Sequence, residues 1–381
     1  MAKKTAEKST SSALKKRALW TLLFVAIAAL TVWAVTAQSK SFSFKSFLAF
    51  LGELDPLWLC AALLAMLFYI FFEGAAIKVI LHAVGYPRST AKNLSYSAAD
   101  IYFSAITPSA TGGQPASAFF MVKDGIPLAT TTVVLLFNLI LYAFAIVTLG
   151  VFCFILKPSV FYFFSVPGRV LIIVGFAAQL LLAALFFLLL RYPAILQRAG
   201  EGIINLLGRM RILRKTEQKK EKLAKSIGSY GSCVTLVGRR WGAILGAFGL
   251  NVLQRACFIA ATVFTCCAIS GGAAHFAELW AGESMVVLAS NYVPIPGAMG
   301  ITDTLLLDVL GSLFDEVTAT NLELFSRTVS FYLCILLCGG ATLFRSIALT
   351  VRGRKRAPEA QADQGENDAP DNSGIDKNET I

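Results

Sequence analysis

Apolar residues in this chain fall in long blocks, without the alternation of a half-buried strand or the single stripe of a soluble surface helix. Blocks at about 18–37, 57–81, 127–156, 170–190, 241–269 and 322–349 each reach the roughly 18–20 residues that cross a bilayer as a helix. Two further apolar stretches are interrupted. Residues 94–121 are broken by Thr107-Pro108-Ser109-Ala110-Thr111-Gly112-Gly113-Gln114-Pro115, and residues 273–313 by Pro294-Ile295-Pro296-Gly297-Ala298-Met299-Gly300. Each half of an interrupted stretch is too short to span, so each stretch is expected to enter the membrane, turn and leave on the side it came from. Irregular backbone survives at membrane depth only where protein or a water-filled cavity satisfies its amides, which is where transporters place their binding sites.

Composition agrees with the blocks. Hydrophobic residues make up 56% of the chain and charged ones 15%, against nearer a quarter charged in soluble domains. The fold class that follows is an all-α polytopic membrane protein with about six spans plus two re-entrant helix hairpins. The eight cysteines sit mostly inside apolar blocks without paired CxxC spacing, and His82 and His275 are the only histidines. No metal site or other cofactor is expected.

Charge sets the orientation. Residues 1–17 carry six Lys/Arg against Glu7, and residues 191–240 carry twelve against three Glu. Both segments, and the basic run Arg352–Arg356, belong in the cytoplasm by the positive-inside rule. Residues 1–17 are then a basic cytoplasmic tail, 18–350 the transmembrane domain, 191–240 its basic cytoplasmic loop and 351–381 a disordered cytoplasmic tail. An amphipathic surface helix is expected over Tyr192–Arg211. Anionic lipid headgroups account for the basic loop, and no nucleic-acid partner is expected. With the first break entering from inside and the second from outside, residues 57–156 and 241–349 read as an inverted-topology repeat whose binding site lies where the breaks meet.

Chemistry in the breaks rests on backbone and charge. Pro108 and Pro115 remove donors, Gly112 and Gly113 allow close approach, and Thr111 is a candidate cap for the helix that restarts after them. An ionisable residue at mid-helix costs about 2.5–3.5 kcal/mol on insertion scales, so such residues should face the bundle interior. Glu73, Lys78, Asp100, Arg255, Glu278, Glu283, Asp303, Asp308 and Arg327 qualify. Lys78 and Asp308 lie close enough to span ends to be interfacial. Glu73, Glu283, Arg255 and Arg327 are the buried-charge candidates: an arginine to hold a phosphodiester, a carboxylate to pair with it or carry a proton. Walker, HExxH and GxSxG signatures are all missing, so no catalytic residue is proposed.

The two breaks also carry a resemblance. Ile106–Pro115 followed by Lys123-Asp124-Gly125-Ile126 resembles the first signature of the lysylphosphatidylglycerol synthase transmembrane family, which includes the flippase half of the multiple peptide resistance factor proteins. Pro294-Ile295-Pro296-Gly297-Ala298-Met299-Gly300-Ile301-Thr302-Asp303 resembles its second, P-x-PGG-x-G-x-x-E. Gln114 stands where many members have Glu, Ala298 where they have Gly, and Asp303 where they have Glu. The resemblance implies paired inverted repeats in a bacterial plasma membrane, both termini cytoplasmic. It also implies movement of a phospholipid, phosphatidylglycerol or its lysyl derivative, between leaflets. Thr107, Pro108, Thr111, Gly112, Gly113, Gln114, Pro115, Pro294, Pro296, Gly297, Gly300 and Asp303 would lie along the lipid path. The soluble synthase domain of full-length members is expected to be absent, leaving a separate synthase subunit and a homo-oligomer as possible partners. The alternatives are a phosphatidylglycerol lysyltransferase acting from lysyl-tRNA and a membrane scaffold.

Overall fold

The computed structural model describes residues 49–50, 52–209, 216–269, 272–291 and 293–349. The expected tail 1–17, the span 18–37 and the segment 351–381 lie outside the described residues. Among the described residues eleven α-helices follow one another: α1 (Pro56–Ala83), α2 (Thr90–Ile106), α3 (Gly113–Lys123), α4 (Leu128–Leu156), α5 (Val166–Arg191), α6 (Pro193–Arg209), α7 (Thr216–Gly238), α8 (Trp241–Cys267), α9 (Phe276–Ser290), α10 (Ile301–Gly311) and α11 (Glu316–Leu349). Among the described residues five helices, α1, α4, α5, α8 and α11, are long and apolar enough to cross a bilayer. The described residues are all-α, and these apolar helices make the protein membrane-embedded.

Side-chain placement is inverted relative to a soluble protein. Leu181, Phe152, Ile155, Phe187 and Phe344 face outward, whereas Asn93, Asp100, Asn138, Gln179, Asn251 and Gln254 are buried. Hydrocarbon solvates the first set at no cost, while the second must find partners inside the bundle. One apolar core joins α8, α9 and α10 to the adjoining ends of α4 and α5. A second joins α1, α2, α3 and α7 to the other half of α4. The most extensive helix contact is between α1 and α8, which stand between the two cores.

Helix ends follow local rules. Asp55 caps α1 by accepting from the Leu57 amide at 2.8 Å, and Pro56 occupies the first turn, where a missing N–H costs nothing. Gly125, at φ +85°, closes α3, with the Ile126 amide donating back to the Met121 carbonyl at 3.1 Å. The expected basic segment between spans, 191–240, carries a second helix beside the amphipathic one. Its described residues form α6 and α7, packed on each other, with Tyr230 and Val237 of α7 buried in the second core. The high charge of the segment hides this, because the apolar positions that dock α7 are sparse. The amphipathic helix expected over Tyr192–Arg211 is present as α6.

The turn after α3 is also an electrostatic anchor. Asp124 receives Arg345 Nη2 of α11 at 2.6 and 2.7 Å and the Tyr96 hydroxyl of α2 at 2.6 Å, with Lys92 Nζ at 3.7 Å. Its main-chain carbonyl accepts from Arg88 at 3.1 Å. Lys92 is about a third exposed, so solvent discounts its share. We expect Asp124→Asn to destabilise the protein by about 2 kcal/mol. The check is the melting temperature in detergent, where Lys92→Gln should show a much smaller drop.

Candidate functional site

Both interruptions fold as single turns of 3-10 helix, Pro108–Ala110 and Pro296–Ala298, and the two turns touch; the second also rests against α2. Each turn begins with proline and ends on an alanine in the left-handed region, Ala110 at φ 54° and Ala298 at φ 48°. An L-residue pays roughly 1–2 kcal/mol for that conformation, and such strain concentrates at functional sites.

Thr111 does not cap α3. Gly112 occupies the cap position without a side-chain bond, and the Thr111 hydroxyl donates instead to the Pro108 carbonyl at 3.0 Å. Thr107 takes the role from further back. Its hydroxyl oxygen accepts from the Gly112 amide at 2.8 Å, because the 3-10 turn carries the chain round and brings Thr107 over the start of α3. A Cβ on Gly113 would overlap the Asp100 carboxylate and the Ser104 hydroxyl and come within 2.7 Å of the Asp100 main-chain oxygen. Backbone cannot step aside cheaply, so Gly113→Ala should cost about 1–3 kcal/mol. Thermal unfolding should show this loss, whereas Gly249→Ala, with open space around its Cβ site, should show little.

Beside the paired turns lies a cavity of about 850 Å³. Residues from α1, α2, α3, α4, α8, α9, α10 and α11 line it, so it gathers side chains from both halves of the chain. Thr111, Gln114 and Pro115 at the start of α3, and Thr302 and Asp303 at the start of α10, are on its wall. The N-terminal ends of both restarted helices therefore adjoin it, and their dipoles favour negative charge there.

The sequence-derived residues divide into two groups. Thr111, Gln114, Pro115, Gly297, Asp303, Glu73, Arg255, Glu283 and Arg327 line the cavity. Thr107, Pro108, Gly112, Gly113, Pro294, Pro296 and Gly300 do not; they shape the backbone behind it. Among the interfacial candidates, Lys78 donates to Thr90 at 2.9 Å, and Asp308 accepts from the Ser165 amide and hydroxyl at 3.0 and 2.8 Å. Glu278 pairs with Lys157 at 2.7 Å, and that hydrogen bond holds its carboxyl below the usual range.

The two buried arginines are held in different ways. Arg327 Nε lies 2.8 Å from Asp303 Oδ1, though misaligned for a directed hydrogen bond, so the contact is an ion pair. Its Nη2 donates to the Gly297 carbonyl of the second turn at 3.1 Å, and its guanidinium lies over Phe331 at 4.9 Å. Phe331 sits in a π-helical turn of α11, Thr328–Leu333, whose ring fills the space a Gly297 side chain would need. Asp303 also accepts from the Gly300 amide at 2.8 Å and contacts Glu323.

Arg255 has no carboxylate within 4.0 Å among the described residues. It donates to Gln254 Oε1 at 3.0 Å and to the Tyr69 hydroxyl at 3.2 Å. Tyr142, Phe258 and Tyr69 surround it with ring centroids at 4.4, 5.3 and 5.2 Å. Sequence reading singled out Arg255 but missed Tyr69, Tyr142, Gln254 and Glu323. Aromatic and amide side chains in apolar blocks carry no sign of which face they present, and Glu323 fell in a stretch read as the start of a span.

Comparison with known proteins gives the family. The family model described as "Lysylphosphatidylglycerol synthase TM region" matches residues 19–338, which contain both breaks and every cavity-lining residue. The chain belongs to this family. None of the curated proteins matches it significantly. Membership in the lysylphosphatidylglycerol synthase TM family and the apolar helices together make it an integral membrane protein of that family.

Proposed function

We propose that this protein moves a phospholipid with an anionic phosphate headgroup, phosphatidylglycerol or its lysyl derivative, between membrane leaflets through the cavity beside the two broken elements. The observation that carries the reading is Arg255. A buried guanidinium with no carboxylate in contact is costly, and proteins keep one where a ligand supplies the charge. The aromatic rings hold the cation without neutralising it. A phosphodiester entering the cavity would complete it, with the helix starts at Gly113 and Ile301 adding positive potential.

The order of elements supports an inverted repeat built from six spans and two re-entrant hairpins. A long helix, a shorter helix, a 3-10 turn, a short helix and a long helix occur in residues 56–156 and again in 241–349, where a further 3-10 turn, Gly272–His275, precedes the shorter helix. Both turns end on a positive-φ alanine. The charge distribution supports opposite orientation of the two copies and cytoplasmic termini, in what we take to be a bacterial plasma membrane. On this reading a separate synthase subunit makes any lysylated substrate.

The test is headgroup-labelled fluorescent phosphatidylglycerol in proteoliposomes, bleached from outside by an impermeant reductant. Movement takes bleaching well past the outer-leaflet half; bleaching that stops at the half in protein-containing vesicles contradicts the proposal. Lysylated lipid formed by the pure protein from lysyl-tRNA would favour the transferase reading.

A further inference from the structure

Glu73 of α1 and Asp100 of α2 are both buried and both line the cavity, on two helices packed against each other. Two carboxyls buried in one low-dielectric cavity do not both stay ionised, so the pair holds a proton. Three of the four carboxyl oxygens have donors already. Gln254 Nε2 donates to Glu73 Oε2 at 3.1 Å, Gln114 Nε2 to Asp100 Oδ2 at 2.8 Å, and Ser104 Oγ to Asp100 Oδ1 at 3.2 Å. No Lys or Arg lies within 4.0 Å of either carboxyl among the described residues. The titratable neighbours facing Glu73 are Tyr69 on its own helix, Asp100 on α2, Tyr142 on α4, Arg255 on α8, and Cys334 and Cys338 on α11. Arg255 is the sole cation in that set.

The pair is tied to Arg255 through one residue. Gln254 accepts from Arg255 Nε with its oxygen and donates to Glu73 with its nitrogen. With one shared proton the carboxyl pair carries one negative charge, and the nearest positive charge is the guanidinium. When a phosphodiester takes Arg255, the charge on the pair loses its compensation in a low-dielectric interior. Binding a second proton then restores neutrality.

Building on the anionic-headgroup reading above, we propose that the Glu73–Asp100 pair makes this protein a proton-coupled lipid carrier, taking up one proton from water for each headgroup charge received at Arg255. The proton adds to a carboxylate oxygen on entry and leaves to water on the far side, so net charge does not change. Lipid and proton move together, and the energy source is a pH difference rather than a membrane potential.

Two measurements test this. In the first, short-chain phosphatidylglycerol is titrated onto the purified full chain between mildly acidic and mildly alkaline pH, where the phosphodiester stays ionised. Affinity should weaken by up to about tenfold per pH unit above the apparent pKa of the pair. In Glu73→Gln the new amide donates to Asp100 and keeps it ionised, so the dependence should flatten; the double variant Glu73→Gln/Asp100→Asn has no pair to protonate and should be flat. In the second, fluorescent phosphatidylglycerol is followed in proteoliposomes with an imposed pH step. Movement away from the acidic side should be accelerated severalfold, and the ratio of rates with and without the step should fall to one in Glu73→Gln, whatever the absolute rate. Wild-type binding or movement that ignores pH, or movement driven by membrane potential alone, overturns the coupling and leaves the transport reading standing. Absence of both binding and movement overturns the transport reading, and the coupling with it.

Discussion

Arg255→Met reduces movement of phosphatidylglycerol by at least tenfold and leaves the protein as stable as before, or slightly more so. A hydrogen bond to a charged group is worth about 1.5–3 kcal/mol, equivalent to roughly 10- to 100-fold in affinity. That is the interaction the phosphate loses. Stability does not follow, because no carboxylate lies within 4.0 Å of Arg255 among the described residues, and the Glu73–Asp100 pair can take up a proton when the guanidinium is gone. Replacing a buried charge by an apolar side chain of similar volume is often neutral or stabilising. The Gln254 oxygen and the Tyr69 hydroxyl each lose a donor, which trims that gain. Arg255→Lys should recover only part of the activity, since a point charge replaces the planar fork that fits between the rings. A structural arginine behaves in the opposite way, with stability falling first and activity following it. The melting temperature and the bleaching assay, measured on the same preparations, separate the two patterns.

Asp303→Ala gives the reverse signature. It breaks the buried ion pair with Arg327 and strips the Gly300 amide of its acceptor. Breaking one side of a buried pair costs about 3–5 kcal/mol, because the other charge is left uncompensated. Arg327 is also the link between the second turn and α11, through its bond to the Gly297 carbonyl. Loss of the pair should therefore loosen the turn, and activity and stability should fall together. The double variant Asp303→Asn/Arg327→Gln removes both charges and should regain a large part of the lost stability, measured as a double-mutant cycle in detergent. A double variant no more stable than Asp303→Ala would show that Arg327 is not compensated by Asp303.

Much of the architecture can be read from the chain because a bilayer imposes length and polarity rules that act locally. The span read from Pro56 to about Leu81 is α1, 127–156 is α4, and the break at Thr107–Pro115 separates α2 from α3. Proline, glycine and the absence of charge carried each of these. The contrast between Arg255 and Arg327 was not legible, because a contacting counter-ion is supplied by a residue far away in sequence: Asp303 for one, and no carboxylate within 4.0 Å among the described residues for the other. Thr111 was misplaced as a cap because a 3-10 turn brings Thr107, a residue further back, over the helix start. The π-helical turn at Thr328–Leu333 has no signature in sequence; it appears only once Phe331 is seen filling the space left by Gly297. The second helix of the 191–240 segment, α7, was not legible because basic residues dominate its composition while a few buried positions dock it.

The central claim is that a phospholipid headgroup reaches Arg255 inside the protein. A phosphatidylglycerol bearing a photoreactive group on its headgroup, cross-linked in membranes and mapped by peptide, measures this most directly. Labelling should fall on peptides containing Tyr69, Tyr142 or Phe258, should be competed by unlabelled phosphatidylglycerol and should disappear in Arg255→Met. Labelling confined to outward-facing positions such as Phe152 and Leu181, unchanged by the substitution, would contradict it.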